Sequence, residues 1–109
     1  MQLPCELSLR NVARSRALDL LLQKNVTKLE KICDHIKSCR IAVEKPQQQQ
    51  SNINPYRVQI DIAIPPFHEI VVSQEPRDND MHDNLYTVVQ NAFDETQSQI
   101  KALMTKQSS

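Results

Sequence analysis

The sequence contains no glycine, and aromatic residues make up only 4% of it. Phosphate-binding loops and the nucleophile elbow of serine hydrolases both need glycine where the backbone turns tightly or approaches a ligand. The absence of glycine therefore excludes both kinds of site. The scarcity of aromatic side chains disfavours a protein that holds nucleic acid by stacking bases on aromatic platforms.

Long apolar runs are also missing. No stretch approaches the roughly 18 apolar residues that a membrane-spanning helix needs, and residues 1–6 lack the basic and apolar regions of a signal peptide. We therefore expect a cytoplasmic protein that makes no contact with membranes. A chain of 109 residues with 39% hydrophobic residues predicts one domain, over residues 1–104, followed by a frayed tail over 105–109.

The three cysteines are Cys5, Cys33 and Cys39. An odd count without close pairing indicates reduced thiols rather than a disulfide framework. The spacing of Cys33, His35 and Cys39 is compatible with metal ligands, but no second pair of ligands lies nearby in the sequence. Both cysteines fall at apolar positions of their elements, which favours buried thiols, with no metal and no cofactor. His35 is then expected to cap the end of a helix.

Hydrophobic periodicity predicts four strands and two helices. The predicted elements, in chain order, are a strand over 3–9, a helix over roughly 15–36, strands over 39–43 and 56–64, a strand marked by Ile70 and Val72, and a helix from Asp83 to about Met104. The first two strands can pair in parallel because a full helix connects them. This order predicts an α+β fold, β-α-β-β-β-α, with a single four-stranded sheet and two helices packed on one face.

A series of short segments, in order along nearly the whole chain, resembles the ribosome hibernation promoting factor and ribosome-associated translation inhibitor family. The segments are Ala17-Leu18 through Lys28-Leu29-Glu30-Lys31, Asp34-His35-Ile36, residues 38–44, 56–62 and 69–72, Leu85-Tyr86, Ala92-Phe93-Asp94 and Gln99-Ile100. The resemblance implies binding to the small ribosomal subunit in the channel used by messenger and transfer RNA, which silences ribosomes under stress or in stationary phase. It also implies a short form, because longer members add a C-terminal domain that pairs ribosomes.

Basic residues are concentrated in the first half of the chain. The net charge is zero, but residues 1–57 hold ten Lys/Arg against five Asp/Glu, and residues 58–109 hold three against eight. Lys24, Lys28 and Lys31 fall within a narrow arc of the first helix. The candidate RNA-binding residues are these three, Arg10 before the helix, Arg14 and Arg16 at its start, Lys37 and Arg40 past its end, and Lys101 of the second helix. Such clusters bind phosphates by charge.

The resemblance supports Lys28 and Lys31, which lie inside a matching segment, whereas the other candidates rest mainly on geometry. Charge alone favours an ordinary solvated helix face. In the second helix, residues 94–101 are mostly neutral or acidic, where family members often carry basic residues. We therefore expect weaker RNA contact there, or a changed partner.

An enzyme and a protein-interaction module are the other two functional classes. An enzyme is disfavoured, because His68 and His82 are predicted in loops without an orienting partner, and no small-molecule substrate is indicated. A protein-interaction module remains open, since the acidic second half could face a basic protein. The favoured prediction is a monomer that binds the small subunit through ribosomal RNA.

Overall fold

The computed structural model describes residues 5–45, 56–66, 68–74 and 85–108, with side chains through residue 105. Its elements are β1 (Cys5–Arg10), α1 (Arg16–Ile32), β2 (Ser38–Glu44), β3 (Arg57–Ile64), β4 (His68–Gln74) and α2 (Leu85–Ser108). The predicted order β-α-β-β-β-α and the α+β class are confirmed. The predicted strand start at Leu3, the helix cap at Asp83, and His82 lie outside the described residues.

The four strands form one sheet in the order β1-β2-β3-β4. β1 pairs with β2 in parallel, as predicted, and the other two pairings are antiparallel. Alternation along each strand places the apolar side chains on one face, where both helices pack over them. The residues that alternate with them, which are mostly polar but include the exposed Val71, form the open face of the sheet, which no described helix covers.

The first helix begins at a well-formed cap. Ser15 has an extended backbone, and its Oγ accepts a hydrogen bond of 3.1 Å from the Leu18 amide. A cap of this kind stabilises a helix by about 1 kcal/mol. The helix buries one stripe against the sheet and α2, consisting of Leu18, Leu22, Asn25 and Leu29.

The predicted end of this helix at residue 36 was wrong, because α1 stops at Ile32. Cys33 takes an extended backbone (φ −144°, ψ 113°) while its amide still donates to Leu29 O at 3.0 Å. Ile36 packs against the core from the following turn, so its helical spacing was misleading. The backbone of Cys33 caps the helix, and the His35 imidazole instead lies against Cys33 Sγ (3.6 Å) and Asp34 Oδ1 (3.3 Å).

Two further boundaries differ from the prediction. His68 is not in a loop: it is the first residue of β4 and pairs with Ile64, because the antiparallel pairing continues to the turn. α2 extends to Ser108, four residues beyond the predicted helix end near Met104. Thr105 Oγ1 donates to Lys101 O at 2.9 Å in this last part. None of the helices in the described ranges is long and apolar enough to cross a membrane.

A pair of amide side chains, the buried Asn25 and the half-buried Gln90, joins α1 to α2. Asn25 is 0% exposed, and its Nδ2 donates to Gln90 Oε1 and to Leu21 O, both at 2.9 Å. Gln90 Nε2 donates back to Asn25 Oδ1 at 3.0 Å and to Asp94 Oδ1 at 2.9 Å. Because buried amides need their partners, these reciprocal bonds fix how the two helices are placed against each other.

Candidate nucleic-acid interface

The exposed surface of α1 has two sides with different charge. At about 100° per residue, Lys24, Lys28 and Lys31 project on the side from which Asn25 reaches α2. Gln23 and Glu30 project on the other side, toward β1. We call the surface formed by Lys24, Lys28 and Lys31 the lysine face.

All three side chains of the lysine face are exposed. Within the described parts of the chain, no salt bridge involves any of them. The backbone of α1 is held in place, because Leu22 and Leu29 on another side of the helix are buried in the core. The lysine face therefore presents three positive charges from a fixed backbone, each on a long stem that adapts to the position of a phosphate.

The neighbouring surface of α2 adds little positive charge. Lys101 is exposed, and by the same helical projection it lies with Asp94 on the side of α2 that faces α1. The Asp94 carboxylate is exposed and is held by Gln90, which itself bonds Asn25 of α1. Glu95 projects elsewhere, toward β4, where it accepts a hydrogen bond of 2.9 Å from Gln74. Asp94 therefore lowers the positive potential beside the lysine face, whereas Glu95 does not.

Three other predicted residues lie at the two ends of α1. Arg14 Nε is 3.1 Å from Asp19 Oδ1, so its charge is partly compensated, and it lies toward β1. Arg16 is exposed at the first residue of the helix. Lys37 is exposed in the turn before β2, and its amide donates to Ala63 O at 2.8 Å. These three cations therefore lie at separate places along the domain and do not extend the lysine face.

Arg10 and Arg40 lie on the open face of the sheet, away from the face that the helices cover, and so they lie apart from the lysine face. Arg40 alternates with Cys39 and Ile41, which are buried under the helices, so its side chain points the other way. It lies in register between Glu6 and Asp61, and its Nε is 3.3 Å from Glu6 Oε2. A role of Arg10 and Arg40 in RNA binding stays a prediction.

Sequence reasoning missed a groove of about 730 Å³ between β1 and α1, lined in part by Cys5, Leu7, Leu22 and Val26. It also missed that Cys5 and Cys39 are direct neighbours in β1 and β2. The signal was present, since both cysteines stand at alternating apolar positions of strands predicted to be parallel. The predicted burial of Cys33 and Cys39 is confirmed. Across the part of the chain that the structure describes, no three or more His, Cys, Asp or Glu side chains are grouped as metal ligands.

The fold and the lysine face together define a small α+β domain with a positively charged helix surface. Residues 5–108 match the family model described as sigma 54 modulation protein / S30EA ribosomal protein. Because this match spans nearly the whole chain, the protein belongs to that family, and the resemblance to the ribosome hibernation factors is confirmed. The chain is therefore a member of a ribosome-associated family.

Two solved structures are similar to this one. The N-terminal domain of protein Y from Thermus thermophilus has 19% sequence identity and a TM-score of 0.67, over 94% of this chain and 99% of that one. A ribosomal subunit interface protein from Coxiella burnetii has 16% identity and a TM-score of 0.72, with the same coverage. At these identities the likeness shows a shared fold. Comparison with curated proteins finds no match.

Proposed function

We propose that this protein binds the small ribosomal subunit through ribosomal RNA and restrains translation under stress or in stationary phase. It does so in the cytoplasm, as a monomer, by occupying the channel that messenger and transfer RNA use. The mechanism is steric occlusion with electrostatic anchoring, and no bond is made or broken. Family membership supports ribosome association, and the lysine face is the observation that carries the RNA contact.

The anchoring follows from simple electrostatics. Each lysine of the lysine face that contacts a phosphate releases condensed counterions, so the affinity falls as salt rises. A lysine ammonium is a compact charge that recognises phosphate without reading the bases. The lysine face therefore positions the domain on an RNA surface of suitable shape, and the bulk of the domain blocks the channel.

Co-sedimentation with ribosomal subunits at rising salt tests this function. We expect the protein in the small-subunit fraction at low salt and its release as salt increases. Three phosphate contacts give a slope of about −2 to −3 in a plot of log affinity against log salt. If the protein is absent from the small-subunit fraction at low salt, the proposal is wrong.

A protein partner is the competing outcome, because exposed carboxylates such as those of Asp94 and Glu95 could face a basic protein. A pull-down from lysate separates the two readings. Capture of a protein that survives nuclease treatment, without ribosomal RNA, would favour the protein partner. Loss of the captured material after nuclease treatment supports RNA binding.

Replacing Asp94 with asparagine should strengthen ribosome binding several-fold at low salt. The change removes a negative charge beside the lysine face, and asparagine keeps an oxygen that can accept the hydrogen bond from Gln90. Glu95→Gln is the matched control: it removes the same charge on the side of α2 that faces β4, and we expect a smaller gain. Equal effects of the two substitutions would show that only the overall charge matters and that RNA does not approach the side of α2 facing α1.

A further inference from the structure

Two thiols face each other between β1 and β2. Cys5 and Cys39 are direct partners in the parallel register, and their Sγ atoms are hydrogen-bonded at 3.9 Å. Adjacent strands lie about 4.7–4.9 Å apart, and Cα atoms joined by a disulfide are usually about 4.4–6.8 Å apart. Side chains at paired positions also project to the same face of the sheet. The backbone therefore already holds the two sulfurs where a small side-chain rotation allows a bond.

The two thiols differ in access. Cys5 is exposed and lines the groove of about 730 Å³ between β1 and α1. Cys39 is 1% exposed and belongs to the core. A small reagent in the groove therefore reaches the Cys5 sulfur directly, whereas the Cys39 sulfur lies behind it.

The thiols also differ in acidity. The hydrogen bond with Cys39 lowers the pKa of Cys5 from its usual value, although burial opposes this. The same hydrogen bond, together with burial, raises the pKa of Cys39. Cys5 is thus the more readily ionised sulfur, and the thiolate is the form that reacts with oxidants.

We propose that Cys5 and Cys39 form a reversible dithiol–disulfide site that reacts with hydrogen peroxide or another small peroxide, with Cys5 as the reacting thiol and Cys39 as the resolving thiol. The Cys5 thiolate attacks one peroxide oxygen. The S–O bond forms, the O–O bond breaks, and the departing hydroxide takes up the proton that Cys5 lost, giving water and a Cys5 sulfenic acid.

The Cys39 sulfur then attacks the Cys5 sulfur. The S–S bond forms, the S–O bond breaks, and the hydroxyl group leaves as water with the proton of Cys39. In sum, the two thiols lose two electrons and two protons, and the peroxide is reduced to two waters. A dithiol reductant reverses the change by exchange. Cys33 takes no part, since it is buried and its sulfur lies against His35.

Peptide mass mapping of the native protein after brief treatment with hydrogen peroxide tests the site, with free thiols alkylated afterwards under denaturing conditions. We expect a mass lower by two hydrogen atoms, a linked peptide joining Cys5 to Cys39, an alkylated Cys33, and full reversal by dithiothreitol. Cys5 carrying two or three oxygens without a link, a link that includes Cys33, or dimers linked through Cys5 would each overturn the proposal.

Two variants test the order of events, with circular dichroism confirming that each is folded. In Cys39→Ala, Cys5 should stop at the sulfenic acid, which dimedone traps. Cys33→Ala, the control, should form the same Cys5–Cys39 link as the wild type. Because the mapping on wild-type protein needs neither variant, the proposal stays testable if Cys39→Ala fails to fold. It does not depend on ribosome binding.

Discussion

Replacing Lys24, Lys28 and Lys31 together with glutamate is expected to abolish co-sedimentation with the small ribosomal subunit. Each substitution removes one phosphate contact and adds repulsion, so we expect the affinity at low salt to fall by about a hundredfold or more. The residual salt dependence should be shallower by about two to three in log–log slope. All three side chains are exposed on the surface of α1, so the thermal midpoint should change little.

The matched control places new negative charge on the other side of the same helix. Gln23 is exposed and lines the groove toward β1. The substitution Gln23→Glu changes the net charge by one unit, as Lys28→Gln does on the lysine face, and it should weaken binding by a much smaller factor than Lys28→Gln. Wild-type affinity of the triple variant would remove α1 from the RNA contact. Equal losses in Lys28→Gln and Gln23→Glu would reduce the effect to overall charge.

Replacing Asn25 with aspartate is expected to destabilise the fold by about 3–5 kcal/mol at neutral pH. The two side chains have the same shape, so no cavity is made. The substitution turns the Nδ2 donor into an oxygen that faces two acceptors, Leu21 O and Gln90 Oε1. It also places a carboxylate at a position that is 0% exposed. Chemical denaturation followed by circular dichroism measures the change in the free energy of unfolding.

The destabilisation of this variant should depend on pH. Burial next to two acceptors raises the pKa of the new carboxyl in the folded state above its unfolded value of about 3.9. The folded state then binds the proton more tightly than the unfolded state. Compared with the wild type, the variant is therefore least destabilised below a pH of about 4. Its destabilisation grows as the pH rises from there to the raised folded-state pKa.

Asn91→Asp is the control, because Asn91 is exposed on α2 and undergoes the same chemical change. Its effect should be within about 0.5 kcal/mol. A similarly small, pH-independent effect of Asn25→Asp would contradict the burial of Asn25 and its bonds to Leu21 and Gln90.

The element order was predictable because alternation and helical spacing are local signals, and a helix between β1 and β2 already implies parallel pairing. The end of α1 was not predictable, because Ile36 keeps the helical spacing but packs against the core from the turn that follows the helix. The buried position of Asn25 was hidden for a similar reason. Asn25 bonds Leu21 O one turn earlier, but its Oδ1 accepts a hydrogen bond from Gln90, which is far along the chain.

The candidate site was predictable only in part. The arc that joins Lys24, Lys28 and Lys31 depends on one helix, so the sequence alone defines it. The separation of Arg40 from this arc depends on which face of the sheet the helices cover. Its pairing with Glu6 depends on the register of strands that are far apart in sequence.

The edge position of β1 has a consequence for local unfolding. Among the described strands, β1 pairs with β2 alone, through a parallel pairing that closes after α1, whereas β3 is paired on both sides. Strands with fewer partners and half-buried side chains open at lower free energy than the core, so β1 is expected to detach while β2, β3 and β4 stay assembled. A disulfide between Cys5 and Cys39, 34 positions apart in the chain, would couple this opening to global unfolding. Because the link reduces the entropy of the unfolded chain, it would add about 4 kcal/mol to the free energy of unfolding. In the oxidised protein, β1 would then unfold together with the rest of the domain.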